Sequence, residues 1–457
     1  MTAYWKDRPA RPDNLRLLTA DGSWRAWGDE ADPSVAGSDH PSRGCRSAVT
    51  QALQDSLHAT NVIVLLGSGA SFCARNTSGP GAPGMKDLWL AVRSACENRQ
   101  PGSFDAMVKS SVGTIPGKDP DGSPKVGNIE RLLSLCKMRL ELAGVTRDTL
   151  KSTRASVTDP GAEERAAETE WEILSEFVDL AEETILGKVG FVDATTELPA
   201  HADLLAKFGR RNPEKPRVKI FTTNYDLCIE EAALRLNAVL VDGFSHSARQ
   251  RYNRDNFDHD IVRRRSGTTR ADFVDGVFHL YKLHGSVDWR RSGDEVFRSL
   301  NVDRDCGSPV LIYPRSTKYQ EAFDSPYLDM FAALQAALRE PDTTLLIAGF
   351  GFADDHISSP IWSALQSNLS LNLILCDVGF VAEEKLEAGP HEIPNDMTKR
   401  NLHQKRILQL ALHADRRVTA LNGRFDDLVA AIPHLEGRTD RQRLEALLAK
   451  VSEAAAE

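Results

Sequence analysis

The chain has 457 residues, 26% of them charged, and its net charge of -9 is spread along the sequence. Phosphate neutralisation needs concentrated Lys and Arg, so this balance excludes a general nucleic-acid binder. Seven cysteines (Cys45, Cys73, Cys96, Cys136, Cys228, Cys306 and Cys376), none at Cys-x-x-Cys spacing, exclude a zinc ribbon and a thioredoxin-type pair and read as reduced, intracellular thiols. Residues 1–20 are polar and broken by prolines, and no later stretch approaches the roughly 18 apolar residues of a membrane helix. A soluble cytoplasmic protein is expected, long enough for one large α/β domain with an elaborated second layer.

In chain order, residues 1–43 form an arm rich in Pro, Gly, Asp and Ser that carries Trp5, Trp24 and Trp27. Tryptophans rarely stay in water, so the arm is expected to dock on the body or on a neighbouring subunit. Residues 47–58 have helical periodicity, and 61–66 are a continuous apolar run of the type buried on both faces of a parallel sheet. Residues 85–97 read as a helix behind Pro83-Gly84, and 112–127 as a loop. Ile129, Leu132, Leu133, Cys136 and Leu140 then mark one helical face with Asn128 as N-cap, and a second long helix runs from about 163 to 186. These helices belong to an insert, about residues 100–210, expected to form a lobe over the site.

Strands and helices alternate again: strands at 218–221, 238–241, 277–283, 310–312, 343–348 and 372–376, with helices near 227–236 and between Ser325-Pro326 and Pro341. Residues 44–435 therefore read as one domain built on a Rossmann-like, doubly wound parallel sheet, and 436–457 as a C-terminal helix. The basic run Arg263-Arg264-Arg265, beside Arg249, Arg251 and Arg254, is either a solvated loop or a functional patch.

Candidate chemistry lies at the ends of the apolar runs. Gly67-Ser68-Gly69-Ala70-Ser71 follows the first strand, where small residues let backbone N–H groups approach a pyrophosphate; a plain strand-to-helix turn is the alternative, and the third glycine of the usual dinucleotide fingerprint is missing. Thr222-Thr223-Asn224-Tyr225-Asp226 offers an amide and a carboxylate that could hold a ribose and a carboxamide, or simply cap a turn. His284, in Lys282-Leu283-His284-Gly285-Ser286, is the residue type that moves protons at neutral pH, and Gly285 leaves space for another molecule. Gly349-Phe350-Gly351 repeats the glycine turn, and Asp377 closes the next strand, suitably for the hydroxyls of an adenosine ribose.

The series Gly-Ser-Gly-Ala-Ser, Thr-Thr-Asn-Tyr-Asp, Lys-Leu-His-Gly-Ser and Gly-Phe-Gly-Phe resembles the sirtuin (silent information regulator) superfamily in order and spacing, from about Val62 to Leu428. It is most similar to the bacterial sirtuin-like NADases of antiphage defence. Phe221 to Glu231, Asp242-Gly243-Phe244-Ser245, Asn256-Phe257-Asp258, Leu311-Ile312-Tyr313-Pro314 with Lys318-Tyr319, and Gly349 to Phe352 with Asp355-His356-Ile357 resemble the sirtuin-like subunit encoded beside a HerA-type ATPase.

The resemblance implies NAD bound as substrate without a metal. The turn at Gly67, Ser68, Gly69, Ala70 and Ser71 would take the phosphates, with Thr223, Gly349, Phe350, Gly351 and Asp377 also bordering the dinucleotide. Asn224, Asp226 and His284 would be catalytic, His284 as base toward the ribose or the attacking water. It further implies a hexameric HerA-type ATPase partner and a high-order homo-oligomer such as a dodecamer; the tryptophan-bearing arm and the insert at 244–276, which mixes Phe257 and Phe273 with clustered arginines, are the candidate contacts. The chain departs from sirtuin deacylases in lacking their four-cysteine ribbon, and in Phe350 and Gly351 where those enzymes carry hydroxyl residues. A helical lobe in the ribbon's place favours water as acceptor. A non-catalytic module that binds NAD or ADP-ribose, and an NAD-dependent deacylase, are the alternatives.

Overall fold

The computed structural model describes residues 3–6, 8–28, 45–76, 81–113, 126–153, 162–264, 271–299, 307–311, 325–388, 392–398, 400–413 and 415–434. The expected C-terminal helix at 436–457, most of the 112–127 loop, Ile312-Tyr313-Pro314, Lys318-Tyr319, Cys306 and Arg265 lie outside the described residues.

The strands are β1 (Arg16–Leu18), β2 (Ser23–Ala26), β3 (Asn61–Leu66), β4 (Val218–Thr222), β5 (Val239–Val241), β6 (Val262–Arg264), β7 (Ala271–Phe273), β8 (Val277–Lys282), β9 (Gly285–Ser292), β10 (Glu295–Arg298), β11 (Ser308–Leu311), β12 (Thr343–Ala348), β13 (Leu371–Cys376), β14 (Glu392–Pro394) and β15 (Val418–Asn422). The helices are α1 (Ala3–Lys6), α2 (Arg46–Leu57), α3 (Ser68–Ser71), α4 (Met85–Arg99), α5 (Ser103–Val112), α6 (Ile129–Thr153), α7 (Ala162–Val189), α8 (Pro199–Phe208), α9 (Cys228–Arg235), α10 (Tyr327–Ala337), α11 (Asp355–Ser367), α12 (Glu383–Glu387), α13 (Leu402–Leu412) and α14 (Phe425–Ala431).

A parallel sheet in the order β15-β13-β12-β3-β4-β8-β5 forms the centre. Its strands read as unbroken apolar runs because both faces are covered. Ile63, Leu65, Leu345 and Ile347 join one core with Leu334, Ile361 and Ile407 of α10, α11 and α13. Val62, Val64, Leu346 and Ala348 join another with Leu53, Leu204, Ile229 and Leu428 of α2, α8, α9 and α14. Burying each such side chain stabilises the fold by about 1.5–3 kcal/mol, and the result is the expected doubly wound α/β architecture.

The arm docks on its own chain. β1 pairs antiparallel with β15 (Arg16 opposite Asn422) and with β2, which pairs with β14, extending the sheet at that edge. Trp5, Trp24 and Trp27 are all buried. Trp24 stacks on Phe380 at 5.4 Å, and its indole N–H donates to Asn395 Oδ1 (3.0 Å). Trp24 is therefore a core residue, in line with the expectation that the arm docks on the body.

A layer of four helices, α4 to α7, has its own core of Leu88, Trp89, Phe104, Leu132, Leu133, Leu174 and Ile185. It starts earlier and ends earlier than the expected 100–210, since α8 packs under the sheet instead. Tyr225 and Leu311 are built into the lobe's core, which fixes the lobe on the β4 end of the sheet. A second sheet, β10-β9-β11, follows directly from β8, and β6-β7 form a separate ribbon. In that insert Phe257 stacks on Tyr281 at 4.2 Å while Phe273, Arg263 and Arg264 are exposed.

The chain leaves β3 toward β4 and later returns to the other side of β3 as β12. The order of strands reverses there, and the crevice beyond the carboxyl ends of β3 and β12 is where such sheets bind ligands.

Candidate active site

Two glycine turns meet at this crevice. The N–H of Gly67 donates to Ala348 O (3.1 Å), that of Gly69 to Gly349 O (3.0 Å), and that of Ala70 to Gly67 O (2.9 Å). A Cβ on Gly67 would lie 2.4 Å from Gly349 O, one on Gly69 2.7 Å from Gly349 Cα, and one on Gly349, at φ +65°, 2.4 Å from the Ala70 nitrogen. Gly67, Gly69 and Gly349 thus allow the chain to approach itself. Gly351 is different, because a Cβ there would meet nothing within 4 Å.

Asn224 lies just past β4. Its Nδ2 donates to Gly67 O (2.9 Å) and Ser71 Oγ (2.7 Å), which fixes the amide orientation and leaves Oδ1 as the group to offer a ligand. Ser71 in turn donates to Asp226 Oδ2 (2.6 Å), while Asp226 Oδ1 accepts from the Cys228 N–H (3.1 Å). Ser71, assigned to the phosphates on resemblance, therefore sits in a chain of amide, hydroxyl and carboxylate. Thr223 holds the turn to β3 by donating its N–H to Leu66 O (3.1 Å).

Beneath this turn Lys282, 2% exposed, donates to Tyr225 O (3.4 Å), Asp226 O and Glu230 Oε1 (2.9 Å). Glu230 is pushed up by burial, against the pull of the Lys282 charge. A buried ammonium clamping two carbonyls holds the loop's shape, since leaving either partner alone in the interior is costly.

His284 and Leu283 form the turn between β8 and β9. His284, 4% exposed, meets Asp354 Oδ2 through Nε2 (3.0 Å). Asp354 caps α11 by accepting the His356 N–H at Oδ1 (2.9 Å). Burial pushes the Asp354 carboxyl up, but the hydrogen bond and charge of His284 and the His356 N–H together hold it below the usual carboxylate range. With Nε2 turned to Asp354, Nδ1 is the ring nitrogen left to exchange a proton with a ligand. Gly285 leaves no room for another molecule: at φ +89° a Cβ would lie 2.1 Å from Val310 O of β11.

Two cavities open on these groups. A chamber of about 270 Å³ is lined by Ser71, Thr223, Asn224, Asp226, His284, Phe350 and Asp354, with Met85, Leu88 and Glu130 from the helical lobe. A cleft of about 1080 Å³ is lined by Gly69, Asp377, Arg400, Arg424 and Trp5 among others, and the two share Ser68, Gly349 and Gly351. Asp377 accepts the Gly379 N–H (2.6 Å) and is pushed up by burial. The sequence placed Asn224, Asp226, His284 and the glycine turns correctly at strand ends, and the fold brings them together; Ala70 is buried behind the turn. Asp354, Lys282 and Glu130 were not singled out; the signal for Asp354 was its position as N-cap after Gly349-Phe350-Gly351. Among the described residues, no group of three His, Cys, Asp or Glu side chains stands where it could hold a metal ion, and no helix is long and apolar enough to cross a membrane.

Residues 218–373, from β4 into β13, match the family model of the SIR2-like domain. That span holds Thr223, Asn224, Asp226, His284, Gly349, Phe350 and Gly351, whereas the first glycine turn and Asp377 fall outside it. No curated protein matches the chain. Among solved structures, the chain is similar to a point mutant of a Sir2 homologue in complex with ADP-ribose, at 11% identity and a TM-score of 0.33, over 86% of this chain and 97% of that one.

Proposed function

We propose that this chain hydrolyses NAD+ to ADP-ribose and nicotinamide. The observation that carries the proposal is the junction at the switch-point crevice of the Asn224–Ser71–Asp226 chain and the His284–Asp354 pair, in one chamber continuous with a cleft large enough for a dinucleotide. The match of 218–373 to the SIR2-like domain supports NAD as the ligand. The adenosine half would lie in the larger cleft, with Asp377 toward its ribose and room provided at Gly351. The nicotinamide ribose would enter the chamber, where Asn224 Oδ1 and Asp226 steady the positive charge that develops as the glycosidic bond breaks. His284 takes a proton through Nδ1. Lobe side chains line the chamber where a deacylase has its ribbon, which favours water over a protein substrate as acceptor.

The motif resemblance extends the proposal to an effector of bacterial antiphage defence, cytoplasmic, assembled as a high-order homo-oligomer with a HerA-type ATPase. A non-catalytic NAD- or ADP-ribose-binding module is the second reading; it is favoured by the engagement of both Asp226 oxygens within the chain.

The test is to incubate the purified chain with NAD+, alone and with the ATPase, and to identify products by chromatography. His284→Ala and Asn224→Ala should each lower turnover by roughly 10²–10⁴-fold with the fold intact. Binding of NAD+ with no cleavage under either condition would favour the sensor module, and near wild-type turnover in either folded mutant would remove that residue from the mechanism. Light scattering on the chain and on its mixture with the ATPase tests the assembly: a monomer that does not co-elute ends that part.

A further inference from the structure

We propose that Asn401 is a positioning residue of the site: it clamps the turn that follows β12 so that Asp354 is presented to His284. The inference rests on the NAD+-hydrolysis reading and adds a residue that neither the motifs nor the SIR2-like match contains, since Asn401 lies beyond residue 373.

The chain passes from β12 to α11 through residues 349–354, and Gly349, Phe350, Gly351, Ala353 and Asp354 all line the chamber. Phe352 does not. It is 2% exposed and belongs to the core shared with α10, α11 and α13, its ring 5.1 Å from that of Phe350. Its φ of +56° is left-handed, a backbone that costs a residue other than glycine about 1–3 kcal/mol and persists only where the surroundings hold it.

The core holds the Phe352 ring, and Asn401 holds the backbone. Its Nδ2 donates to Gly351 O (2.8 Å) and Phe352 O (3.2 Å), while its Oδ1 caps α13 by accepting the Gln404 N–H (2.9 Å). Capping alone needs only an oxygen, which Ser or Asp would supply equally well. What the amide adds is a pair of donors, and both go to the turn that carries the chain from the ligand cleft to Asp354. The same helix start reaches the other side of that carboxylate, where His403 Nε2 lies 3.2 Å from Asp355 Oδ1. Asp354 is thus held between two contacts from α13, with one oxygen on His284 (3.0 Å) and the other on the His356 N–H (2.9 Å). The orientation of the His284 ring follows from Asp354, and that of Asp354 from the turn. A misplacement of about 1 Å in such a chain can cost about 10²-fold in rate.

The experiment compares Asn401→Ser and Asn401→Asp with the wild-type chain. Both substitutes cap a helix as Asn does, so α13 keeps its start, but neither can donate to two carbonyls. In the assembly that cleaves NAD+, kcat should fall about 10–100-fold while ADP-ribose affinity stays within about twofold. The nitrogen NMR resonances of the His284 imidazole, identified by their loss in His284→Gln, should shift in both variants. Those of His201, in α8 under the opposite face of the sheet, should stay in place, a contrast that general loosening of the fold would not give. Wild-type kcat or unshifted His284 resonances in a folded variant, or loss of ADP-ribose affinity in step with kcat, would overturn the inference while the hydrolase reading stands. If the wild-type chain binds NAD+ and never cleaves it, the hydrolase reading falls; a shift of the His284 resonances then still supports the clamp, and their constancy ends it.

Discussion

Four glycines at the crevice look alike in sequence and do different work. Gly67, Gly69 and Gly349 let one backbone segment touch another, so an added methyl has nowhere to go. Gly67→Ala should cost roughly 1–3 kcal/mol of stability, the usual penalty of overpacking, and thermal unfolding will read it. Gly351 faces open space, so Gly351→Val should unfold at the wild-type temperature yet bind ADP-ribose at least about tenfold more weakly, equivalent to 1.4 kcal/mol. Unchanged binding would show that the ligand does not pass Gly351. The difference between the glycines was not legible in the sequence, because a glycine that makes room for its own chain and one that makes room for a ligand leave the same letter. Asn224 and His284 were legible, since a polar residue just past a wholly apolar run must lie at a strand's carboxyl end. Asp354 was hidden behind its capping role, which any helix-starting Asp can fill.

At the level of elements, the runs at Asn61–Leu66 and Thr343–Ala348 were legible to the residue, because central parallel strands are apolar on both faces and little else is. β9 and β10 were not anticipated. Asp288 and Arg290 are buried in β9, and Arg298 of β10 bonds both Asp288 Oδ2 (2.8 Å) and Asp242 Oδ2 (2.6 Å), so these strands carry charges that mimic a solvated loop. α11 was masked by Pro360 in its interior. The arm was read as a docking segment without its strands, since three- and four-residue strands among prolines and glycines leave no periodicity to detect. Its tryptophans gave the better signal. Trp24→Ala should destabilise the protein by about 3–5 kcal/mol, as expected for emptying a fully buried aromatic site. Chemical denaturation of the isolated chain will show it; a variant of wild-type stability that fails only in assembly would place Trp24 at a subunit contact instead.

For the molecule as a whole, two histidines outside the site couple stability to pH. His201, buried in α8 against the Phe425 ring at 5.1 Å, has its pKa lowered to about 4 by burial, against the pull of Asp226. His279 in β8 is likewise lowered to about 4, by burial and by the Lys219 charge. In the unfolded chain both would titrate near 6.5, so below that pH protons favour unfolding. The stability is whole above about pH 6.5 and declines as pH falls toward 4. His201 alone would account for a loss of roughly 3 kcal/mol over that window. Unfolding midpoints measured from pH 7 to 4.5 should fall, and His201→Gln should flatten the slope; an unchanged slope would refute the assignment.

The pairing of β1 with β15 also sets a timetable. Arg11 gives its N–H to Asp427, 416 positions later, and β1 completes its ladder only on β15. At a synthesis rate of ~5–20 residues per second, the first strand waits about 20–80 s for the ribosome to deliver its partner. Through that interval the indoles of Trp24 and Trp27 and the backbone edge of β1 are exposed to other chains. The newborn polypeptide is therefore a natural client for a chaperone that shields an amino-terminal segment until translation has passed β15.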